Sequence, residues 1–196
     1  QWHENGQKWE EGMNKKGAKD GKWTAWHENG QKWKEANFKD GECISGDCNF
    51  TGWYENGQIK AEENYKDGKL IGETKYFYYE NGQISSEWNY KDGEKHGKHT
   101  SWFEDGQMHW ENNWKDGKAD GKYTWWYENG QQQNEFNFKD GMREGKATWW
   151  YENGQKEYER FFKDNEQDGK YTSWNENGQI ESESTWQNGK CISGDC

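Results

Sequence analysis

Residues 121–141 read GKYTWWYENGQQQNEFNFKDG, and this stretch decides the fold. Its two arms, Lys122–Tyr127 and Glu135–Phe138, are aromatic-rich and have high β-propensity. The Asn-Gly pair between them is the strongest short-range hairpin signal, because a type I′ turn needs positive φ at both central residues. A Lys-Asp-Gly sequence at the end of the stretch reverses the chain again. The stretch therefore predicts an antiparallel β-hairpin with a two-residue loop, followed by a second turn.

The same hairpin signal recurs along the whole chain. A Glu-Asn-Gly-Gln or Glu-Asp-Gly-Gln motif occurs eight times at intervals of 24 to 27 residues, and a second turn follows each motif glycine by eleven residues. The pattern predicts one all-β array over residues 1–196, in which eight antiparallel β-hairpins form an elongated meander or solenoid sheet. The motif glycines are Gly6, Gly30, Gly57, Gly82, Gly106, Gly130, Gly154 and Gly178.

The composition excludes several other classes of protein. The chain has 196 residues and a formal charge of −11, with one Leu and no Val against 16 Trp, 11 Tyr and 8 Phe. So few aliphatic residues exclude an α/β core or a helical bundle, and regularly spaced aromatic residues supply the buriable area that a disordered chain lacks. The negative charge repels nucleic acid and anionic lipid, and no apolar run is long enough to span a membrane. We therefore expect no nucleic-acid partner and no membrane insertion.

A two-residue loop also predicts which side chains share a face of the sheet. The threonine six residues before the motif glycine, which is Tyr76 in one repeat, faces the glutamate five residues after it. The tryptophan four residues before the glycine, which is Tyr78 in that repeat, lies on the same face. This predicts a line of tryptophans at Trp26, Trp53, Trp102, Trp126, Trp150 and Trp174. The opposite face is predicted to carry Tyr54, Tyr79, Phe103, Tyr127 and Tyr151 with Phe38, Tyr65, Tyr90, Trp114, Phe138, Phe162 and Trp186.

The repeat resembles a known family. The pattern Gly-Lys-x-Thr-x-Trp-Tyr-Glu-Asn-Gly-Gln, as at Gly121–Gln131, and Glu-x-Asn-Tyr-Lys-Asp-Gly, as at Glu62–Gly68, is similar to the MORN repeat in its longer bacterial variant. The resemblance covers the chain in eight repeats and implies stacked β-hairpins in an extended sheet, with a scaffold or interaction role. Some bacterial members carry an antitoxin-like label, which leaves a cytoplasmic antitoxin-like interaction protein as an alternative function.

Cys-Ile-Ser-Gly-Asp-Cys occurs twice, in joints at 43–48 and 191–196 that follow a second turn. Two thiols that bracket a turn can reach disulfide distance, with Cα atoms about 5.5 Å apart. Free thiols and a zinc site are the alternatives, although zinc ligands are usually spaced more closely and no second ligand pair lies nearby. Disulfides require an oxidising compartment, which favours an extracellular or cell-surface location. The expected pairs are Cys43 with Cys48 and Cys191 with Cys196.

The remaining motifs give one binding candidate and no catalytic one. The tryptophan line has the spacing to stack on successive sugars of a polysaccharide, and covering a thin sheet is its other interpretation. The recurring glutamates are interpreted as partners of threonine and lysine, since a catalytic site does not recur eight times. No nucleophile elbow, phosphate loop or triad spacing is present, so we expect no enzyme, cofactor or metal site. Asn49-Phe-Thr51 is a glycosylation sequon beside the first joint.

These features predict a non-catalytic extracellular structural or scaffold repeat protein. The chain begins inside a strand and finishes on the second cysteine joint, and neither place has the polar cap of a solenoid. We therefore expect a segment or subunit of a fibre that assembles end to end, with itself or other proteins as partners. A carbohydrate-binding surface module that uses the tryptophans is the other extracellular hypothesis.

The cysteine spacing predicts that each pair is oxidised locally rather than across the array, because six repeats separate the two copies. Mass spectrometry of a non-reduced digest should find each disulfide within its own joint. Peptides linked between the two copies within one chain would contradict both the pairing and the extended architecture.

Overall fold

The computed structural model describes residues 1–41, 48–66, 69–72 and 75–196. All regular secondary structure in these ranges is β-strand, and the paired strands are antiparallel, which confirms the predicted all-β hairpin fold. The chain forms two compact units. The first unit comprises Gln1–Lys95 with Glu104–Gly106, and the second comprises His96–Phe103 with Gln107–Cys196.

The first unit is a meander in which strands that follow one another in sequence pair in space. A single bridge between Trp2 and Lys8 precedes it. Its strands are β1 (Glu10–Lys15), β2 (Ala18–Trp26), β3 (Lys32–Phe38), β4 (Cys48–Trp53), β5 (Ile59–Lys66), β6 (Lys69–Leu70), β7 (Lys75–Tyr78), β8 (Ile84–Trp88), β9 (Tyr90–Lys91) and β10 (Glu94–Lys95).

The second unit is also a meander, and its short strands continue into the long ones that follow them. For example, β18 pairs with β19 and then with β20, so the last two act as one bent strand. The strands are β11 (Gly97–Trp102), β12 (Met108–Lys115), β13 (Lys118–Ala119), β14 (Gly121–Trp126), β15 (Gln132–Lys139), β16 (Met142–Arg143), β17 (Gly145–Trp150), β18 (Lys156–Lys163), β19 (Glu166–Gln167), β20 (Gly169–Trp174), β21 (Ile180–Gln187) and β22 (Lys190–Gly194).

The Glu-Asn-Gly turn differs from the type I′ turn that the sequence predicts. At Gly130, the N–H of Tyr127 donates to the carbonyl of Gln131 at 2.9 Å, and the N–H of Gly130 donates to the carbonyl of Tyr127 at 3.0 Å. These bonds close a three-residue loop in which the glycine alone has positive φ, 82°. Such a loop is a type I turn followed by a left-handed residue. Asn129 does not adopt the left-handed conformation, and its Oδ1 accepts the N–H of Gln131 at 2.9 Å.

A β-bulge restores the predicted strand register. Trp126 lies opposite Gln132, and the register then shifts by one residue, which leaves Gln133 as the extra residue on its strand. The longer loop and the bulge cancel, so Thr124 lies opposite Glu135 as predicted. The same shift occurs beside the corresponding turn of other described hairpins.

The type I′ geometry occurs instead at the second turn. Asp140 and Gly141 both have positive φ, 51° and 90°. In the following repeat, Asn165 replaces the glycine and adopts a φ of 71° beside Asp164 at 50°. Asparagine tolerates the left-handed region better than most residues, so this substitution preserves the turn.

Side chains in the first turn bond each repeat to the next. The Nδ2 of Asn129 donates to the carbonyl of Glu152 at 2.8 Å, and the Nδ2 of Asn153 donates to the carbonyl of Glu176 at 3.0 Å. The hydroxyl of Tyr127, which is in the same turn as Asn129, donates to the carbonyl of Trp150 at 2.8 Å. Each turn is therefore held in place by its neighbour as well as by its own backbone.

The second turns are bonded to one another in a similar way. The backbone N–H of Asp164 donates to the carboxylate of Glu144 at 3.2 Å, and that of Asn188 donates to the carboxylate of Asp168 at 3.1 Å. Both turn-bearing edges of the second unit thus carry hydrogen bonds from one repeat to the next.

Buried residues lie on both faces of the sheet. Thr124 and Thr148 are each 4% exposed on one face, while Ala147 is 2% exposed on the other. On this second face, which carries most of the aromatic rings, large residues lie opposite small ones, as Trp23 does opposite Ala36. A sheet with few bulky aliphatic residues is thereby covered by aromatic rings that pack over small neighbours.

We predict that two substitutions at Asn129 separate the two functions of its side chain. Asn129→Ala removes both hydrogen bonds and should lower the free energy of unfolding by about 2 kcal/mol. Asn129→Asp keeps the acceptor for Gln131 but loses the donor to Glu152, and should cost about 1 kcal/mol. Urea unfolding of both variants measures the difference; an Asn129→Asp variant as stable as the unchanged protein would show that the bond between repeats contributes nothing.

Candidate functional site: the threonine–glutamate ladder and its tryptophans

Threonine and glutamate alternate across the strands of each unit. In the second unit, Glu135 lies between Thr124 on one neighbouring strand and Thr148 on the other. We call this row the threonine–glutamate ladder. In the second unit it comprises Thr100, Glu111, Thr124, Glu135, Thr148, Glu159, Thr172 and Glu183. In the first unit it comprises Glu11, Thr24, Glu35, Thr51, Glu62, Tyr76 and Glu87.

Lysines from the neighbouring strand neutralise the ladder glutamates. The lysine two residues before a ladder threonine reaches diagonally across to the glutamate, as the sequence predicts. A second lysine, three residues before the glutamate, joins the pair at Glu35 and at Glu159. The diagonal pairs are Lys22–Glu35 at 2.5 Å, Lys98–Glu111 at 2.6 Å, Lys122–Glu135 at 2.8 Å, Lys146–Glu159 at 3.1 Å and Lys170–Glu183 at 2.5 Å.

These ion pairs lower the pKa of two ladder glutamates, Glu35 and Glu159. Burial raises the pKa of Glu159, but hydrogen bonds from Lys156 and Lys146 outweigh it and leave the pKa below its ordinary value of 4.5. Glu35 has a lowered pKa through the same balance between burial and two lysines. A general acid that works near neutral pH requires a raised pKa, and the pKa values of Glu35 and Glu159 are lowered. These two carboxylates therefore act as ion-pair partners of the lysines.

The tryptophan line lies on the same face as the ladder. Trp26, Trp53, Trp102, Trp126, Trp150 and Trp174 are all half-buried. In three cases a lysine from the preceding repeat lies over the indole, at 5.7 Å for Lys8 over Trp26, 5.3 Å for Lys32 over Trp53 and 5.4 Å for Lys156 over Trp174. These lysines lie over the indole faces on which a sugar ring would stack. Stacking of the tryptophans on polysaccharide therefore stays a prediction, and a structural role of the indoles as partners of the lysines competes with it.

The opposite face carries a chain of aromatic contacts. Phe136 meets Trp149 edge to face at 4.8 Å between ring centroids, and Trp149 stacks on Tyr158 at 4.3 Å. Tyr123 packs against Phe138 at 4.5 Å and is 7% exposed. Burial raises the pKa of Tyr123 to about 12, so its hydroxyl is neutral over the physiological range.

Several residues of this face were missed by the sequence analysis. Tyr123 and Trp125 flank the ladder threonine, and Phe136 follows the ladder glutamate. Strict alternation around Thr124 would have placed them on the aromatic face, because neighbours of a strand residue point to the other side. The repeat motif concealed this signal, since these positions vary from one repeat to the next.

The cysteine predictions are tested in one joint. Cys191 and Cys196 lie at disulfide distance with Cα atoms 5.8 Å apart, and Cys191 is in β22, which pairs with β21. The pairing of Cys43 with Cys48 lies outside the described residues. Asn49 is in β4 opposite Asn64, and its side chain also lies outside what is described.

The histidines that form a local cluster in the sequence have separate environments in the structure. His99 is 1% exposed and stacks on Trp114 at 5.9 Å, which is consistent with its aromatic position in the repeat. His109 stacks on Phe103 at 4.3 Å, and His96 lies 3.2 Å from Asp116. Within the described residues, no group of three or more metal-ligating side chains is arranged to hold an ion. The same ranges contain no helix with the length and apolarity to cross a membrane.

Comparison with known families agrees with this architecture. A family model described as "MORN repeat variant" matches more than half of the chain, at residues 19–40, 49–67, 72–92, 119–140, 143–164 and 167–188. The chain belongs to this family of MORN repeat variants. A comparison with curated proteins finds no match.

Family membership indicates a repeat-based interaction or scaffold protein, and the family is generally non-enzymatic. The motifs around Gly6 and Gly106 lie outside the six matched segments. The count of eight repeats therefore stays a prediction from the sequence.

The ladder predicts a loss of stability in acid. The pKa of Glu159 is lower in the folded chain than its ordinary value, so the charge stabilises the fold above about pH 4.5, and this contribution disappears as the pH falls through the folded-state pKa. Glu159→Gln should lower the free energy of unfolding by about 1 kcal/mol at neutral pH and by less near pH 3. Urea unfolding at both pH values measures this, with Glu157→Gln outside the ladder as the control. A loss that is the same at both pH values would contradict the ion-pair account.

Proposed function

We propose that this protein is a non-catalytic extracellular scaffold whose copies assemble end to end into a fibre. The observation that carries the proposal is the recurrence of the same contacts from one repeat to the next. The ladder pairs, the asparagine bonds of the first turns and the carboxylate bonds of the second turns recur along the second unit. A stack built from one recurring junction can be extended by any repeat that offers the same groups.

A repeat from a second copy offers the groups of the turn junction. Its first turn brings a backbone carbonyl to the asparagine of the preceding repeat. A head-to-tail contact of this kind uses different surfaces on the two copies, so it does not close on itself and produces a filament. The net charge of −11 keeps such a filament soluble along its sides.

The extracellular part of the proposal rests on the cysteines. Cys191 and Cys196 are at disulfide distance, and stable disulfides are typical of oxidising compartments. In a non-reduced tryptic digest of protein from its native source, cleavage after Lys190 leaves both cysteines on one peptide, because no lysine or arginine lies between them. A peptide lighter by two hydrogens would support the location, and a reduced peptide would argue for the cytoplasm.

The assembly is tested at Asn177, the first-turn asparagine of the repeat after Asn153. In the proposed fibre its Nδ2 donates to the following copy, whereas that of Asn153 donates to Glu176 within the chain. We predict that the protein forms filaments in electron micrographs at high concentration. Asn177→Asp should weaken elongation at least about tenfold without lowering the melting temperature, whereas Asn153→Asp should lower the melting temperature.

Sedimentation velocity over a range of concentrations gives the elongation constant for each variant. A protein that stays a monodisperse monomer at high concentration would overturn the fibre. An Asn177→Asp variant that elongates like the unchanged protein would overturn the proposed junction.

A further inference from the structure

The two arginines of the chain both lie among the aromatic rings of the second unit. The guanidinium of Arg160 lies 4.7 Å from the ring centre of Tyr158, 5.3 Å from that of Trp149 and 5.5 Å from that of Tyr171. We call these four residues the arginine patch. Apart from Arg143 and Arg160, the basic side chains that are always charged at neutral pH are lysines. The choice of arginine at position 160 is therefore specific.

Arg160 has rings around it and no carboxylate beside it. Its Nε is buried and has no hydrogen-bond partner, and Arg160 makes no ion pair with any residue that the structure describes. Ala147 lies directly opposite on the neighbouring strand and leaves room above it. A half-buried guanidinium in this position has lost part of its hydration and presents a planar fork that matches a carboxylate.

The first unit carries a carboxylate at the same position of the repeat. Glu63 follows its motif glycine by six residues, as Arg160 follows its own. Glu63 lies opposite Phe50 and accepts a hydrogen bond from the hydroxyl of Tyr65 at 2.8 Å. The rings of Phe50 and Tyr65 meet edge to face at 5.3 Å. We call these three residues the glutamate patch.

A lysine also lies beside the glutamate patch. Lys34 is placed over the ring of Phe50, 4.4 Å from its centre, and no ion pair joins Lys34 to Glu63 in the described part of the chain. The glutamate patch therefore keeps a half-buried carboxylate that faces out from the aromatic surface.

We propose that the glutamate patch of one copy docks on the arginine patch of a second copy, with an ion pair between Glu63 and Arg160 at its centre. Each patch combines aromatic rings with one half-buried charge, and the two charges are opposite. Tryptophan, tyrosine and arginine are the residues that contribute most to protein interfaces. Rings around the ion pair exclude water, which strengthens the electrostatic attraction and gives the contact its specificity.

The charge of the whole molecule makes this local complementarity necessary. Each copy has a formal charge of −11, so two copies repel each other unless the contact brings opposite charges together. Each patch lies on the aromatic face of its own unit, whereas the end-to-end contact uses the turns of an outer repeat. The two associations are therefore independent and can be disrupted separately.

Charge reversal of the full-length protein tests the proposal in sedimentation velocity and light-scattering experiments. Glu63→Arg alone and Arg160→Glu alone should each weaken self-association at least about tenfold, because each brings like charges together. The double variant Glu63→Arg/Arg160→Glu should restore it, and so should an equimolar mixture of the two single variants. Circular dichroism and melting temperature confirm that each variant is folded, and Glu63→Gln and Arg160→Gln replace any variant that is not.

Arg143→Glu is the matched control, because it removes the same charge from an exposed arginine of the same unit. It should leave association within about threefold of the unchanged protein. Failure of both the double variant and the mixture to associate would overturn the proposal. If Arg143→Glu weakens association as much as Arg160→Glu does, the net charge of the protein explains the effect, and the proposed ion pair is overturned. A monomer at all concentrations would overturn it as well, whereas filaments that survive every reversal would leave the end-to-end assembly standing alone.

Discussion

The pairing of threonine with glutamate across neighbouring strands is the contact on which the other features of this fold depend. A single hairpin has no core of its own, and a two-stranded hairpin is at best marginally stable in water. Within the second unit, a ladder glutamate such as Glu135 lies between two threonines, Thr124 and Thr148, and pairs with a lysine. The ladder therefore sets the register in which the rings on the opposite face meet.

The two faces stabilise the sheet by different means. The ladder face depends on ion pairs between its glutamates and neighbouring lysines, as at Glu35, Glu135 and Glu159. The other face depends on rings that pack beside small residues, and arginine enters this face where Ala147 leaves space. Because hydrogen bonds at both turns also connect neighbouring repeats, a substitution in one repeat is felt in the next.

Most of the fold could be predicted from sequence because hairpin length, turn residues and β-propensity agree with one another. The predicted pairing of Thr124 with Glu135 is confirmed, although the predicted turn type is wrong. The pairing is the same because the extra residue of the loop and the bulge at Gln133 shift the register in opposite directions. The observed turn includes a hydrogen bond from the N–H of Gln131 to the Oδ1 of Asn129, which the dipeptide alone does not reveal. The aromatic contacts of Trp149 and Arg160 were missed, because their positions vary between repeats and only strand alternation identifies them.

Cysteine cross-linking measures the ladder register most directly. In a background with the four native cysteines changed to serine, Thr148→Cys combined with Glu159→Cys should form a disulfide under mild oxidation, because these residues lie opposite each other. Thr148→Cys combined with Tyr158→Cys should not, since Tyr158 points to the other face. Without the bulge, the three-residue loop would place Tyr158 opposite Thr148. Cross-linking at position 158 instead of 159 would therefore contradict the account.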